Sequence, residues 1–198
     1  MPLVEFLTPL AKAFSSDAAV ESAQLAIQIH GGYGYLREYR VEQILRDARV
    51  TQIYEGTNGI QGMTLAGRLL RLDKGICARA FQEYLIHAAD AAAANGLTDW
   101  ASCLRTGLGN WQAAAEAVTR QDDIGCTAQP FLRLSGLLAF AAAWSRLQAA
   151  AAFAPNPGRL AATAEFARCW MLPETAHLTA LCQSGFAADT SAAFDLFG

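Results

Sequence analysis

Gln28-Ile-His-Gly-Gly-Tyr-Gly-Tyr35, Arg46-Asp-Ala-Arg49 and Ile53-Tyr-Glu-Gly-Thr57 follow one another within thirty residues, and their reading decides the fold. Glycine at 31, 32 and 34 supports two readings. It is the chemistry of a helix C-cap and turn, and it is also a backbone bare enough to approach a phosphate or a cofactor edge. The dinucleotide-binding fingerprint is excluded, because its third glycine is missing and no strand precedes the turn.

Working upstream, Thr8 before Pro9 predicts a helix start, with a hydroxyl cap and proline in the first helical position. Leu10, Phe14, Ala18, Leu25 and Ile29 continue at helical spacing, and Gly31-Gly32 should stop that helix. Residues 31–39 read as a turn and Val41 to Val50 as a short helix. A loop over 51–57 follows. A further helix starts near Asn58, where Asn58 and Gln61 resemble a capping box, and Ile60, Met63, Leu65, Leu69 and Leu70 supply its apolar positions.

Downstream of Asp73 the texture changes. Alanine-rich segments near 75–94, 98–121, 129–152 and 158–185 read as helices. They are separated by Asn95-Gly96, by Gly125 to Pro130 and by Pro155-Asn-Pro-Gly158, all loop chemistry. They predict two helical hairpins or an up-and-down bundle. The boundary between the two parts is placed near residue 72, giving segments 1–72 and 73–198. The tail from Thr190, with Phe194 and Phe197, is expected to fray or to dock through its aromatic rings.

Composition agrees with an all-α fold. About a fifth of the 198 residues are alanine and only 6 are proline, the best and the worst helix formers. With 53% hydrophobic residues there is enough apolar surface to offset the entropy of ordering. Net charge is −3 and no basic stripe exists, which argues against a nucleic-acid partner. No run of about 18 uncharged apolar residues predicts a membrane-spanning helix. The five cysteines form no CxxC pair. A disulfide framework or a zinc site is therefore not expected, and reduced thiols of a cytoplasmic protein are. The Met1-Pro2 start has no basic region before an apolar run and stands before what reads as mid-protein sequence, as in an internal fragment.

Few side chains point to chemistry. Arg46, Asp47 and Arg49 read as an ion-pair cluster fixing the short helix. Glu55 has two readings. Walled by Ile53 and Tyr54, its carboxyl would hold its proton more tightly and serve as a base near neutral pH; open to water, it is a loop glutamate beside a helix N-terminus. His87 and His177 stand alone. Trp100, Trp111, Trp144 and Trp170 are expected to pack a core, and the cysteines to behave as small buried hydrophobes. Gln121-Asp-Asp123 reads as a polar loop, so no metal site is expected.

Taken together, the three stretches resemble the C-terminal part of the acyl-CoA dehydrogenases, which carry patterns like Q-I-H-G-G-x-G-[YF], R-D-A-R and I-Y-E-G-T at matching spacing. Leu7 to Phe14 is similar to that family's penultimate long helix, so the resemblance covers roughly residues 3–72. Residues 73–198 resemble the additional helical domain of some larger members, including those acting on methylthiopropanoyl-CoA. The resemblance implies an FAD-dependent oxidoreductase of fatty-acid metabolism, acting on an acyl-CoA substrate and passing electrons to an electron-transfer flavoprotein. It places the catalytic base on Glu55 and an acyl-pocket contact on Tyr54. Gln28, Ile29, His30, Gly31 and Gly32 match the stretch that meets the FAD of a neighbouring subunit, and Gly56, Thr57, Asn58 and Gly59 the stretch that meets FAD after the base. Several relatives carry glutamine where this chain has Gly59. A homo-oligomer is implied, and the 198 residues alone should neither hold FAD nor turn over. The competing expectation is a non-catalytic helical oligomerisation or interaction module, since apolar helix faces must be buried somewhere.

Overall fold

The computed structural model describes residues 1–184, so the aromatic pair expected in the tail lies outside the described residues. Every element among the described residues is helical. The chain runs through α1 (Pro2–His30), α2 (Val41–Thr51), α3 (Asn58–Met63), α4 (Ile76–Ala94), α5 (Thr98–Arg120), α6 (Ala128–Ala149), α7 (Pro157–Phe166) and α8 (Glu174–Ser184). Short 3-10 turns fill Gly31–Tyr35 and Arg37–Tyr39. Single wide π turns extend α3 over Thr64–Leu69 and α7 over Ala167–Met171.

Two helix boundaries depart from the local signals. The first helix does not start at Thr8. It starts at Pro2, in the first-turn position that proline favours, and Pro9 sits buried in its interior. Proline there removes an N–H and crowds the preceding turn. The helix persists because Phe6, Leu10 and Ala13 on either side are sealed in the core. Thr8, instead of capping, donates its hydroxyl back to Val4 O at 2.7 Å. The segment expected as one helix over 158–185 is two, because Pro173 cannot continue the hydrogen-bond ladder and α8 begins immediately after it.

The core is one cluster that crosses residue 72. Phe6 of α1 stacks on Phe81 of α4 with centroids 4.7 Å apart. Trp111 of α5 meets Phe6, Phe81 and Phe131 at 5.9, 5.4 and 5.6 Å. Its indole N–H donates to Ser135 Oγ at 2.8 Å, and that hydroxyl donates to Phe131 O, so the polar handle of the central tryptophan is satisfied without water. Gly136 lets α6 approach α1, because a Cβ there would overlap the ring of Phe14.

The junction itself is a change of direction. Asp73, Lys74 and Gly75 all take left-handed backbone angles. Arg71 then binds the first segment to the end of α5, donating to Val118 O, Thr119 O and Gln121 O at 3.1–3.3 Å. A cation there satisfies carbonyls that the helix leaves open and meets the negative end of its dipole. On the far side, Arg133 of α6 makes a two-point bond to Glu174 of α8 at 2.5 and 2.9 Å. No helix among the described residues is long and apolar enough to cross a membrane.

Candidate functional site

The glycine turn does end α1. Gly31 takes φ +59°, and its N–H returns to Gln28 O. Gly34 is buried, and a Cβ there would stand 2.7 Å from Ile27 O. It is glycine because the turn folds back onto its own helix. Gln28, Ile29, His30, Gly31 and Gly32 form an exposed row, with Ile29 83% exposed. His30 Nδ1–H donates to Ala26 O at 2.8 Å. Its ring lies edge-on to Tyr39, which also packs on Tyr33.

The loop after α2 is held in an unusual backbone conformation. Glu55 and Gly56 are both left-handed, with φ +57° and +84°. A non-glycine residue in that region costs about 1–3 kcal/mol and persists only where its surroundings over-determine it. Here they do. Gln61 Nε2 donates to Glu55 O at 3.1 Å, Lys12 Nζ donates to Gly56 O at 2.7 Å, and Asn58 N–H closes the loop on Gln52 O at 3.1 Å.

Asn58 is not the cap expected of it. Thr57 is the N-cap, its hydroxyl accepting from Ile60 N. Either side chain could cap from its own position, and the one that points into the protein is lost to that role. Asn58 is buried against α1. Its amide donates to Asp17 Oδ1 at 2.6 Å, Ser16 Oγ at 2.8 Å and Ala13 O at 3.2 Å. Its carbonyl accepts from Lys12 Nζ at 2.8 Å. Asp17 Oδ1 also accepts from Gln52 Nε2 at 2.6 Å. The loop is therefore tied to the middle of α1 at both ends.

Glu55 stands at the apex with its carboxylate exposed. Ile53 and Tyr54 are 54% and 49% exposed, so the apolar wall expected around Glu55 is not closed by the described residues. The expected cluster of Arg46, Asp47 and Arg49 does not form either. Arg46 pairs with Glu42, one turn back, at 2.9 Å, and Arg49 bonds to Gln52. On a helix, neighbours lie three or four residues apart, so adjacent Arg46 and Asp47 point away from each other.

Elsewhere, Trp100 and Trp111 are buried as expected, and Trp144 packs against the core. Trp170 is 75% exposed and stacks on Phe166, because the π turn rotates it off the packed face. Cys77 and Cys182 are buried, whereas Cys126 and Cys169 are exposed and Cys103 is intermediate. Burial pushes the Cys182 thiol up to about 12, which keeps it from acting as a nucleophile near neutral pH. His87 and His177 are exposed. Among the described residues no three His, Cys, Asp or Glu side chains gather as metal ligands. Sequence reading missed Lys12 altogether. It lies 44 residues from Gly56, and nothing local marks it.

Comparison with known proteins covers the stretch of chain that carries these surfaces. Residues 2–70 match the family model of the acyl-CoA dehydrogenase C-terminal domain. Over these residues the chain belongs to the acyl-CoA dehydrogenase family. The chain is 40% identical over 146 residues to a 3-methylmercaptopropionyl-CoA dehydrogenase of Ruegeria pomeroyi, a match covering 69% of the chain and 24% of that protein. At 146 residues, this likeness is longer than the family-model match and extends into residues outside 2–70. An acyl-CoA dehydrogenase of Bacillus subtilis is 61% identical over 61 residues, covering 31% of the chain and 16% of that protein. The CarC subunit of a caffeyl-CoA reductase-Etf complex from Acetobacterium woodii is 50% identical over 62 residues, covering 31% and 16%. The chain thus spans a quarter or less of the length of these relatives.

Acyl-CoA dehydrogenases are flavoproteins, and the two exposed surfaces are compatible with such a group. Nothing lies within 4 Å of where a Cβ would stand on Gly31 or Gly32, and Gly59 meets only its own neighbour Thr57 at 3.8 Å. Bare glycine backbone of this kind admits a large planar cofactor to van der Waals distance. These residues offer the edge of a site, and a small open pocket lined by Asp17, Arg49, Gln52, Thr57, Asn58 and Gly59 lies against the second of the two surfaces.

Proposed function

We propose that this chain is the C-terminal segment of an FAD-dependent acyl-CoA dehydrogenase in which Glu55 is the catalytic base. The observation that carries the reading is the braced left-handed loop. It presents the Glu55 carboxylate outward at a fixed apex, with both flanking carbonyls held from behind. Bracing of that kind fixes where the carboxylate sits, which a positioned general base requires.

The chemistry follows from the residue type. The α-hydrogen of an acyl-CoA thioester is a weak acid. A carboxylate removes it when it is aimed at the α-carbon and shielded from water on docking. Glu55 takes the proton, and Tyr54, half exposed beside it, lines the acyl chain. Bound FAD supplies the acceptor for the hydride that leaves the β-carbon. Gly56, Thr57, Asn58 and Gly59 meet the cofactor through backbone and hydroxyl rather than through Asn58, whose side chain is committed to α1. Gln28, Ile29, His30, Gly31 and Gly32 meet the cofactor of a second subunit in a homo-oligomer. An electron-transfer flavoprotein accepts the electrons, in the cytoplasm. The 198 residues alone hold no FAD through desalting and do not turn over.

The test is Glu55→Gln in the protein carrying its full complement of domains. The isosteric amide keeps shape and loses the base, so acyl-CoA-dependent flavin reduction should fall about 10³-fold with unchanged thermal midpoint. Unaltered reduction would leave the loop as a scaffold and favour the non-catalytic helical module.

A further inference from the structure

We propose that Lys12 is a positioning residue that sets the geometry of the Glu55 loop. The proposal rests on the reading of Glu55 as base, but the clamp itself is visible in the geometry. Lys12 is half-buried in the second turn of α1's packed stretch, between buried Leu10 and Ala13. Its ammonium reaches two oxygens of the loop, Gly56 O at 2.7 Å and Asn58 Oδ1 at 2.8 Å. It forms no ion pair with any carboxylate among the described residues. A lysine on a surface helix ordinarily faces water or a carboxylate. Here both identified acceptors are neutral, and both lie on the segment that follows the base.

The placement has a physical logic. Two successive left-handed residues can relax by flipping the peptide between them or the one after. Glu55 O is held by Gln61 from within α3, a local contact that moves with the loop. Gly56 O is held by Lys12 from a different helix. Gln52 and Asn58 tie the two ends of the loop to α1, and the second contact alone refers the left-handed pair between them to that helix; bonds from a charged donor are roughly twice as strong as neutral ones. Releasing it frees the Gly56–Thr57 peptide to rotate, and the direction of the Glu55 side chain rotates with it. A displacement of about 1 Å at a reacting group costs on the order of 100-fold in rate.

Two substitutions in the full chain separate the roles of stem and head. Lys12→Met keeps the apolar stem and removes the donor; Lys12→Arg keeps a donor. Amide hydrogen exchange on the 198-residue chain reads the clamp without any activity. In Lys12→Met the amides of Asn58 and Ile60 should exchange at least tenfold faster, with those of α4 to α6 unchanged and Lys12→Arg closer to the wild type. Loop amides that keep their protection overturn the proposal. In the multidomain protein, Lys12→Met should lower kcat about 100-fold while KM for the acyl-CoA shifts less than threefold. Full activity with a loosened loop also overturns it. If the wild type itself does not reduce its flavin with any acyl-CoA, the dehydrogenase reading fails, and the exchange result alone decides the clamp.

Discussion

Asn58 commits both its side-chain amide and its side-chain carbonyl to α1. Replacing it with alanine would leave the ammonium of Lys12 short of one acceptor, and Ser16 and Asp17 short of a donor, at a part-buried site. An unsatisfied buried polar group costs about 1–3 kcal/mol, and part of this knot can re-pair internally through Gln52. Asn58→Ala should therefore lower stability by about 2 kcal/mol in urea unfolding, a larger loss than an exposed asparagine could give. A change below about 0.5 kcal/mol would mean that the knot is dispensable. The same residue shows what a single chain discloses about its site. Glu55, Tyr54 and the glycine pairs were legible because their types and spacing are local. The α1 residues that brace the loop, Lys12, Ser16 and Asp17, lie 41 to 46 residues from the Gly56 and Asn58 groups they bond, and no short-range pattern connects them. The openness around Glu55 was equally hidden, because apolar neighbours in sequence need not be walls in space.

Among the elements, the order of helices was legible from composition and period, and the errors were at ends. Thr8-Pro9 carries a strong start signal, but Pro2 carries the same chemistry seven residues earlier, and core burial of Phe6 decides between them. Thr57 and Asn58 compete for one cap, and the buried network of Asn58 leaves the role to Thr57. Pro173 breaks a segment whose alanine content conceals the break. The Pro9 position has a measurable cost. Interior proline is about 3 kcal/mol worse than alanine in a helix, while loss of its ring forfeits about 0.8 kcal/mol per buried CH₂. With two such groups lost, Pro9→Ala should stabilise the chain by about 1 kcal/mol, read as a higher urea midpoint at constant slope. A lower midpoint would show that the ring's packing outweighs the restored bond to Glu5 O.

For the whole molecule, the boundary near residue 72 marks a change in sequence character and a left-handed corner, while the core runs through it. Phe6 on one side is stacked on Phe81 on the other, and Arg71 is bonded across the corner to the end of α5. The two segments should unfold together. Tryptophan emission, which comes from four residues all in the second segment, and helical circular dichroism of the whole chain should trace one coincident urea transition. Two separated midpoints would restore a picture of independent halves. Sequence texture alone could not reveal this, because the residues that touch across the corner, Phe6 with Phe81 and Arg71 with Val118, are far apart in sequence.

The packing of α1 has a practical meaning for protein engineers. Ala13 is sealed against residues of the later helices on one side, and its carbonyl receives the amide of Asn58 on the other. The Ile-Tyr-Glu-Gly-Thr pentapeptide is therefore not a portable cassette. Transplanted without a helix that supplies a lysine, a serine and an aspartate at the spacing of Lys12, Ser16 and Asp17, it would keep its letters and lose its shape. A graft of this loop must carry α1, and α1 must bring along the floor it stands on.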